Sequence, residues 1–376
     1  MKTVNLADSI ARTRRNFLAT SASGLGTLAL AHMLQGQGLL GAADTSGLTP
    51  LAPKPPHFAP KAKNCIFLFM AGAPSQMDLF DPKPKLDELH GKPLPESLTK
   101  DVRFAFIKKK TAVLMRSPRK FSRHGQCGME LSDFLPHIGT CADDIALVRS
   151  IYSEQFNHHP GQLMMNTGVP RFGSPSVGSW LNYGLGSESK NLPGYVVLTA
   201  GRGSSGGTSN WTSGFLPSTY AGVLFRGKGE PILNLDNPPG VGTGLQRASL
   251  DALRDLNSRR YLETLDPEIQ SRIASYELAF RMQMEVPEVQ DISKEPTNIK
   301  KLYGADKEPT KNFAEQCLMA RRFSEAGVRF VQITHRYWDS HDNLRKEHAK
   351  LSAEMDKPVA GLIVDLKQRG LLDDTL

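Results

Sequence analysis

Residues 64–72 read NCIFLFMAG and residues 328–335 read VRFVQITH. The first is a continuous apolar run of strand length, and the second also reads as a strand. Gly72 and Pro74 punctuate the first, and the polar stretch RYWDSHDN follows the second. A strand that is apolar on both sides of its pleat has no solvent face, so it belongs inside a parallel sheet covered by helices. Working outward, IALVRSI (145–151) and PGYVVLTA (193–200) read as further buried strands. NFAEQCLMARRFSEAG (312–327) has helical spacing and stops at Gly327. The stretch 344–370 reads as one long helix or as two joined at Pro358, and SDFLPHIGTCADD reads as helical with Ser132 as N-cap. Between 250 and 286, Leu250, Leu253 and Leu256, then Ile269, Ile273 and Leu278, keep helical spacing. Asp266-Pro267 sets the start of the second helix, with Asp266 as cap and Pro267 at its first position. Residues 201–244 are dense in Gly, Ser, Asn and Pro and read as long loops. The alternation predicts an α/β fold: a doubly wound, mostly parallel sheet with helices on both faces and a loop-rich, helical insertion over roughly 201–310.

The ends of the chain read differently from the body. Arg14-Arg15 precede Phe17-Leu18, a mild run rich in Ala, Gly, Ser and Thr, and the small residues Gly41, Ala42 and Ala43. That order is the layout of a twin-arginine export signal over residues 1–43. The competing reading, an amphipathic helix, is opposed by Gly24 and Gly26, since glycine costs about 1 kcal/mol inside a helix. Residues 44–63 are rich in Pro and read as a tether, so the α/β domain occupies 64–376. This organisation predicts a periplasmic or cell-surface protein that uses the twin-arginine translocation machinery. At the far end, GLLDDTL stops where the rhythm calls for another strand. It reads either as a truncated domain or as a terminus that frays after its helix.

Composition narrows the classes. The 376 residues carry four scattered Cys, which excludes a disulfide scaffold and a CxxC zinc ribbon. No window holds about 18 uninterrupted apolar residues, so a membrane span in the mature chain is not expected. Removing Lys2, Arg12, Arg14, Arg15 and Asp8 with the signal takes the formal charge from +8 to about +5. Much of the excess lies between Arg103 and Arg123, with Phe104, Phe106 and Phe121 interleaved. In an exported protein that run reads as a solvated or anion-attracting rim, and nucleic acid is not expected as a partner.

Three loops at expected strand ends carry polar clusters: Ser75, Gln76, Asp78 and Asp81; Asn157, His158 and His159; His335, Asp339, His341 and Asp342. Imidazoles and carboxylates converging from several strand ends suit a divalent metal ion. Zn²⁺ favours His with Asp, whereas Ca²⁺ and Mg²⁺ favour oxygen-rich sets. Each cluster also has a bland reading: Asp78 and Asp81 as helix caps, His158 as a hydrogen-bonded core histidine, Asp339 and His341 as surface loop residues. His124, in a Gly-bounded loop, is a weaker candidate. No GxSxG elbow, His-Glu-x-x-His or P-loop is present.

RRNFL, HFAPKAKNCIFLFMAGAPSQMDLFDPKP, FNHHPGQLMMNTG, GSPSVGSWLNYGLGSES, LPGYVVLTA, WTSGFLPSTYAGV and VRFVQITHRYWDSHDN through VDLKQRGLLDDTL occur in order. Together they resemble an exported bacterial family, domain of unknown function 1501, whose members are often labelled sulfatase-like. The resemblance implies an alkaline-phosphatase-like α/β sandwich with a metal-dependent site, and a continuation past LLDDTL into a further strand and loop. It implies Asp78 as the acidic metal ligand after the first strand, with Asp339 and His341 as ligands from the later loop. Sulfatases carry a Cys-x-Pro-x-Arg box running on to Thr-Gly. Here Pro160 and Thr167-Gly168 keep that spacing, with His158 at the nucleophile position and Gln162 at the Arg position. The formylglycine precursor is therefore absent, and His158 is left as metal ligand, general acid/base or covalent nucleophile. The expected function is metal-dependent hydrolysis of phosphate or sulfate esters. The alternative is an inactive exported protein that kept the fold and binds an anionic ester or glycan.

Overall fold

A computed structural model describes residues 50–376 apart from 101–107, 109–110, 200–205, 227–231, 233–234 and 265. The export signal read over 1–43, the start of the tether (44–49) and part of the basic run lie outside the described residues. Four strands form one parallel sheet: β1 (Cys65–Met70), β4 (Tyr195–Thr199), β5 (Val223–Arg226) and β6 (Phe330–His335), in the order β1-β6-β4-β5. A separate antiparallel ribbon joins β2 (Phe121–His124) to β3 (Met129–Ser132). The two sequence runs that opened the reading are thus hydrogen-bonded neighbours, paired from Cys65↔Phe330 to Met70↔His335.

Helices cover both faces. In chain order they are α1 (Gln76–Leu79), α2 (Pro84–Leu89), α3 (His158–Thr167), α4 (Val177–Leu185), α5 (Thr243–Thr264), α6 (Pro267–Gln290), α7 (Thr297–Tyr303), α8 (Lys311–Glu325) and α9 (Leu344–Gln368). Because side chains alternate along a strand, Val196, Leu198, Val331 and Ile333 share the larger core with Phe313, Cys317 and Phe323 of α8. Tyr195, Val197 and Phe330 point the other way, with Trp211 and Leu181 of α4. Gly178 lets α4 lie on the sheet: a Cβ there would meet the Tyr195 ring at 2.6 Å and the Phe330 ring at 2.7 Å. The α5–α6 hairpin turns where expected, with Asp266 accepting the Glu268 backbone N–H at 3.0 Å and Pro267 opening α6. No described helix is long and apolar enough to cross a membrane.

Several expectations need correction. Residues 145–151 form no strand; Val148 and Ile151 are exposed, and Arg149 lies 3.7 Å from Asp81. The packing there comes from the preceding 3-10 turn, Ile138–Asp144, which buries Ile138, Cys141 and Ala142. That turn is capped from afar: the Asp356 carboxylate accepts the backbone N–H groups of His137 and Ile138 at 2.9 and 2.8 Å. Ser132 ends β3 and caps no helix. Conversely β5 lies inside the stretch read as loops. Leu344–Gln368 form one helix, with Pro358 inside it. After the 3-10 turn Leu372–Asp374, the Leu376 N–H donates to the Asn64 carbonyl and the Leu376 carbonyl accepts from Ile66, on the outer edge of β1.

Candidate metal centre

All four parallel strands run the same way, so the loops after β1 and β6 meet at one edge of the sheet, where α/β folds place their sites. Gly72 lets them touch. Its φ is +105°, and a Cβ there would come within 2.5 Å of the Asp339 backbone nitrogen. The Ala71 N–H donates to the His335 carbonyl and the Trp338 N–H to that of Ala71. Trp338, 1% exposed, is the keystone of the second loop. Its indole N–H donates to His335 Nδ1 at 2.9 Å, and its ring lies between those of His335 and His348 at 5.7 and 5.4 Å. His335 Nε2 faces Glu354 at 3.3 Å. His348 Nε2 accepts the Ser75 backbone N–H at 2.9 Å, and its Nδ1 faces Ser340 Oγ at 3.4 Å. Burial pushes the His348 imidazole below its ordinary value, the Asp78 charge opposing this more weakly. Tyr337 and Asn343, at φ +72° and +52°, bracket the loop in the left-handed region. Such non-glycine conformations are held only where the surroundings over-determine them.

This scaffold presents Asp339 and His341 to solvent. α3 starts with His158 and brings a second imidazole to the same place. His158 Nε2 and His341 Nε2 each lie 2.7 Å from the same oxygen, Asp339 Oδ2. One donor atom from each of the three residues lies within 4.8 Å of the others. Two imidazole nitrogens and one carboxylate oxygen, open on the solvent side, could hold a metal ion, and three protein ligands leave a further coordination position open. A cavity of about 630 Å³ adjoins it, sharing Asp339 and His341 as walls. Its other walls include Glu308, Asp342, Glu347 and Glu354 against Arg336 and Lys350, so carboxylates dominate.

Of the residues read from the sequence, the structure brings together His158, Asp339 and His341. Asp78 is not in that group. It is buried in α1, accepts a hydrogen bond from Ser117 Oγ at 2.5 Å, and lines a separate cavity of about 360 Å³ with His348 and Arg119. Asp81 pairs with Lys83. His124 lies in the β2–β3 ribbon, beside Ser122 and packed on Gly139. The residues the sequence reading missed are the buried supports: His348 of α9, Gln332 of β6 and Asn166 of α3. For Gln332 the sequence signal was a polar side chain among the apolar residues of a strand, whereas His348 stands among charged residues.

Residues 62–376 match the family model described as "Protein of unknown function (DUF1501)", and the chain belongs to this family. No curated protein and no solved structure matches it.

Proposed function

We propose that this member of the DUF1501 family is an exported, metal-dependent hydrolase of phosphate or sulfate esters with an alkaline-phosphatase-like, sulfatase-like site. The observation that carries the reading is the convergence of His158, Asp339 and His341 at the carboxyl edge of the parallel sheet, beside a cavity large enough for a small ester. The donor set supports Zn²⁺ over Ca²⁺ or Mg²⁺, because two of its three atoms are imidazole nitrogens. A zinc ion held there supplies a Lewis acid for an anionic ester oxygen. His158, Asp339 and His341 hold it. The carboxylate-rich cavity repels an anion until that positive charge is in place. Export by the twin-arginine machinery rests on the Arg14-Arg15 leader. Retention of an Arg14→Lys/Arg15→Lys variant in the cytoplasm tests it, and unchanged export counts against it.

The test of the hydrolase reading uses the purified chain with Zn²⁺ on a panel of aryl phosphates and sulfates. Turnover should require the metal and disappear in His158→Ala and in Asp339→Ala. No turnover on any ester at saturating Zn²⁺ overturns it. One observation favours a second reading, a non-catalytic exported protein that binds an anionic ester or glycan. An imidazole stands at the position where the sulfatase box has its nucleophile. Zn²⁺-dependent binding of inorganic phosphate without turnover selects that reading.

A further inference from the structure

Gln332 sits at the middle of β6, between Phe67 of β1 and Val197 of β4, and is 0% exposed. An apolar residue there would avoid the cost of burying an amide, which is tolerable only when its hydrogen bonds are made. They are made, and in one direction. The Tyr195 hydroxyl donates to Gln332 Oε1 at 2.5 Å. Burial holds that phenol well above its ordinary value, so it stays a donor. Gln332 Nε2 must then face the helix side, where it donates to Asn166 Oδ1 at 3.2 Å. Asn166, 1% exposed, turns its own Nδ2 back to the Gln162 carbonyl at 2.8 Å, which fixes the direction of its oxygen. The Gln162 side chain in turn accepts the Gly206 N–H at 3.3 Å. His158, Gln162 and Asn166 are spaced by four along α3. The strand that ends in the Asp339 and His341 loop thus grips, by a buried polar contact, the helix that begins with His158.

We propose that Gln332 is a positioning residue: through Asn166 it fixes the rotation and height of α3 on β6, and so sets His158 against Asp339. The reach is short enough for this to matter. Eight residues of helix separate Asn166 from His158, about 12 Å at 1.5 Å per residue. An imidazole tip stands about 6 Å from the helix axis, so a 10° rotation moves it about 1 Å, twice the tolerance of about 0.5 Å for a ligand constellation. Apolar packing alone leaves such a rotation soft, whereas a directional contact between two buried amides does not. The consequence for metal affinity rests on the metal-centre reading; the consequence for α3 does not.

The decisive variant is Tyr195→Phe/Gln332→Met/Asn166→Leu, which removes the three joined side chains together; Ser176, which also bonds the Tyr195 hydroxyl, keeps Ser179 as its partner, and Gln162 keeps the Gly206 N–H. Its thermal midpoint should stay within a few degrees of the parent, because paired apolar replacement of a hydrogen-bonded set is close to neutral. Amide hydrogen exchange on the metal-free full chain should rise over residues 158–167 and leave α8 unchanged. Zn²⁺ affinity by calorimetry should fall by about 10- to 100-fold, the range for losing an outer support of a metal ligand. The visible spectrum of the Co²⁺-loaded variant should shift toward that of His158→Ala. The milder Asn166→Asp keeps the acceptor for Gln332 and should retain most of the affinity. Unchanged exchange over 158–167 overturns the proposal, whatever the metal result. A parent chain that binds no Zn²⁺ overturns the metal-centre reading alone, and the exchange result then still decides the role of Gln332. Raised exchange with unchanged affinity and spectrum overturns the link from α3 to the site.

Discussion

Two pairs of histidines flank the loop after β6, and they are built in opposite ways. His335 and His348 are buried against Trp338, and in each the lone pair that could bind a metal already accepts an N–H: the Trp338 indole for His335, the Ser75 backbone for His348. His158 and His341 are exposed, and both aim Nε2 at one carboxylate oxygen. The first pair therefore belongs to the scaffold, with both ring nitrogens committed to protein partners. Among the described residues, Asp339 is the hydrogen-bond partner that both members of the second pair share. The same residue type is committed to the scaffold on one side of a loop and left open to solvent on the other, and burial separates the two.

The comparison breaks first at its keystone. Trp338→Ala should lower unfolding stability by about 3–5 kcal/mol in urea titrations, the range for deleting a fully buried aromatic side chain. A loss below about 1 kcal/mol would show that the buried pair does not hold the loop. The next effect concerns the exposed pair. Asp339→Ala should weaken Zn²⁺ binding by about 100-fold or more, beyond what removal of an outer support achieves, yet change stability by only about 0.5 kcal/mol, as for an exposed site. Asp78→Ala should leave Zn²⁺ affinity within about 3-fold, because Asp78 lies in the other cavity and its carboxylate is engaged by Ser117. If calorimetry shows equal losses for Asp78 and Asp339, the division between scaffold and reagent is wrong.

The sequence made the frame legible where long apolar runs left one interpretation open: β1 and β6, β4, and the Asp266-Pro267 start of α6. Short runs failed where an alternative burial existed. IALV (145–148) is as apolar as a strand, but the neighbouring turn supplies the buried side chains and the sheet gives it no place. β5 was hidden because VLFR is four residues long in a Gly-rich stretch. At the site, Asp339 and His341 could be read together because they are two residues apart on one loop. His158 joined them as a strand-end candidate, since the topology brings parallel loops to one edge. Contacts made over long separations could not be read. Asp356 caps a turn more than two hundred residues earlier, and Gln332 meets Asn166 across a comparable distance. Gln332 stands out locally only as a polar residue between apolar ones and Asp356 not at all, because the partner of each exists only after the chain has folded.

The smallest expected effect is a pH dependence that distinguishes the two pairs without touching the candidate ligands. Burial lowers the His348 imidazole below its ordinary value of 6.5, the Asp78 charge acting in the opposite direction, and Ser75, Ser340, Trp338 and Asp78 are the groups that face it. Protonation would place a proton on Nε2, where the Ser75 N–H already points, so the folded state takes up that proton less readily than the unfolded chain. Between the folded value and 6.5 the unfolded state then binds more protons, and stability rises with pH across that window. Read downward, the His348 contribution is intact above about pH 7 and is lost as pH falls from 6.5 toward the lower folded value. Other groups also titrate on acidification, so the measurement is the difference between the parent and His348→Gln in urea melts from pH 7.5 to 5. The parent should lose more stability than the variant over that interval, so the two curves converge at acid pH. Parallel curves would mean that His348 carries no proton linkage.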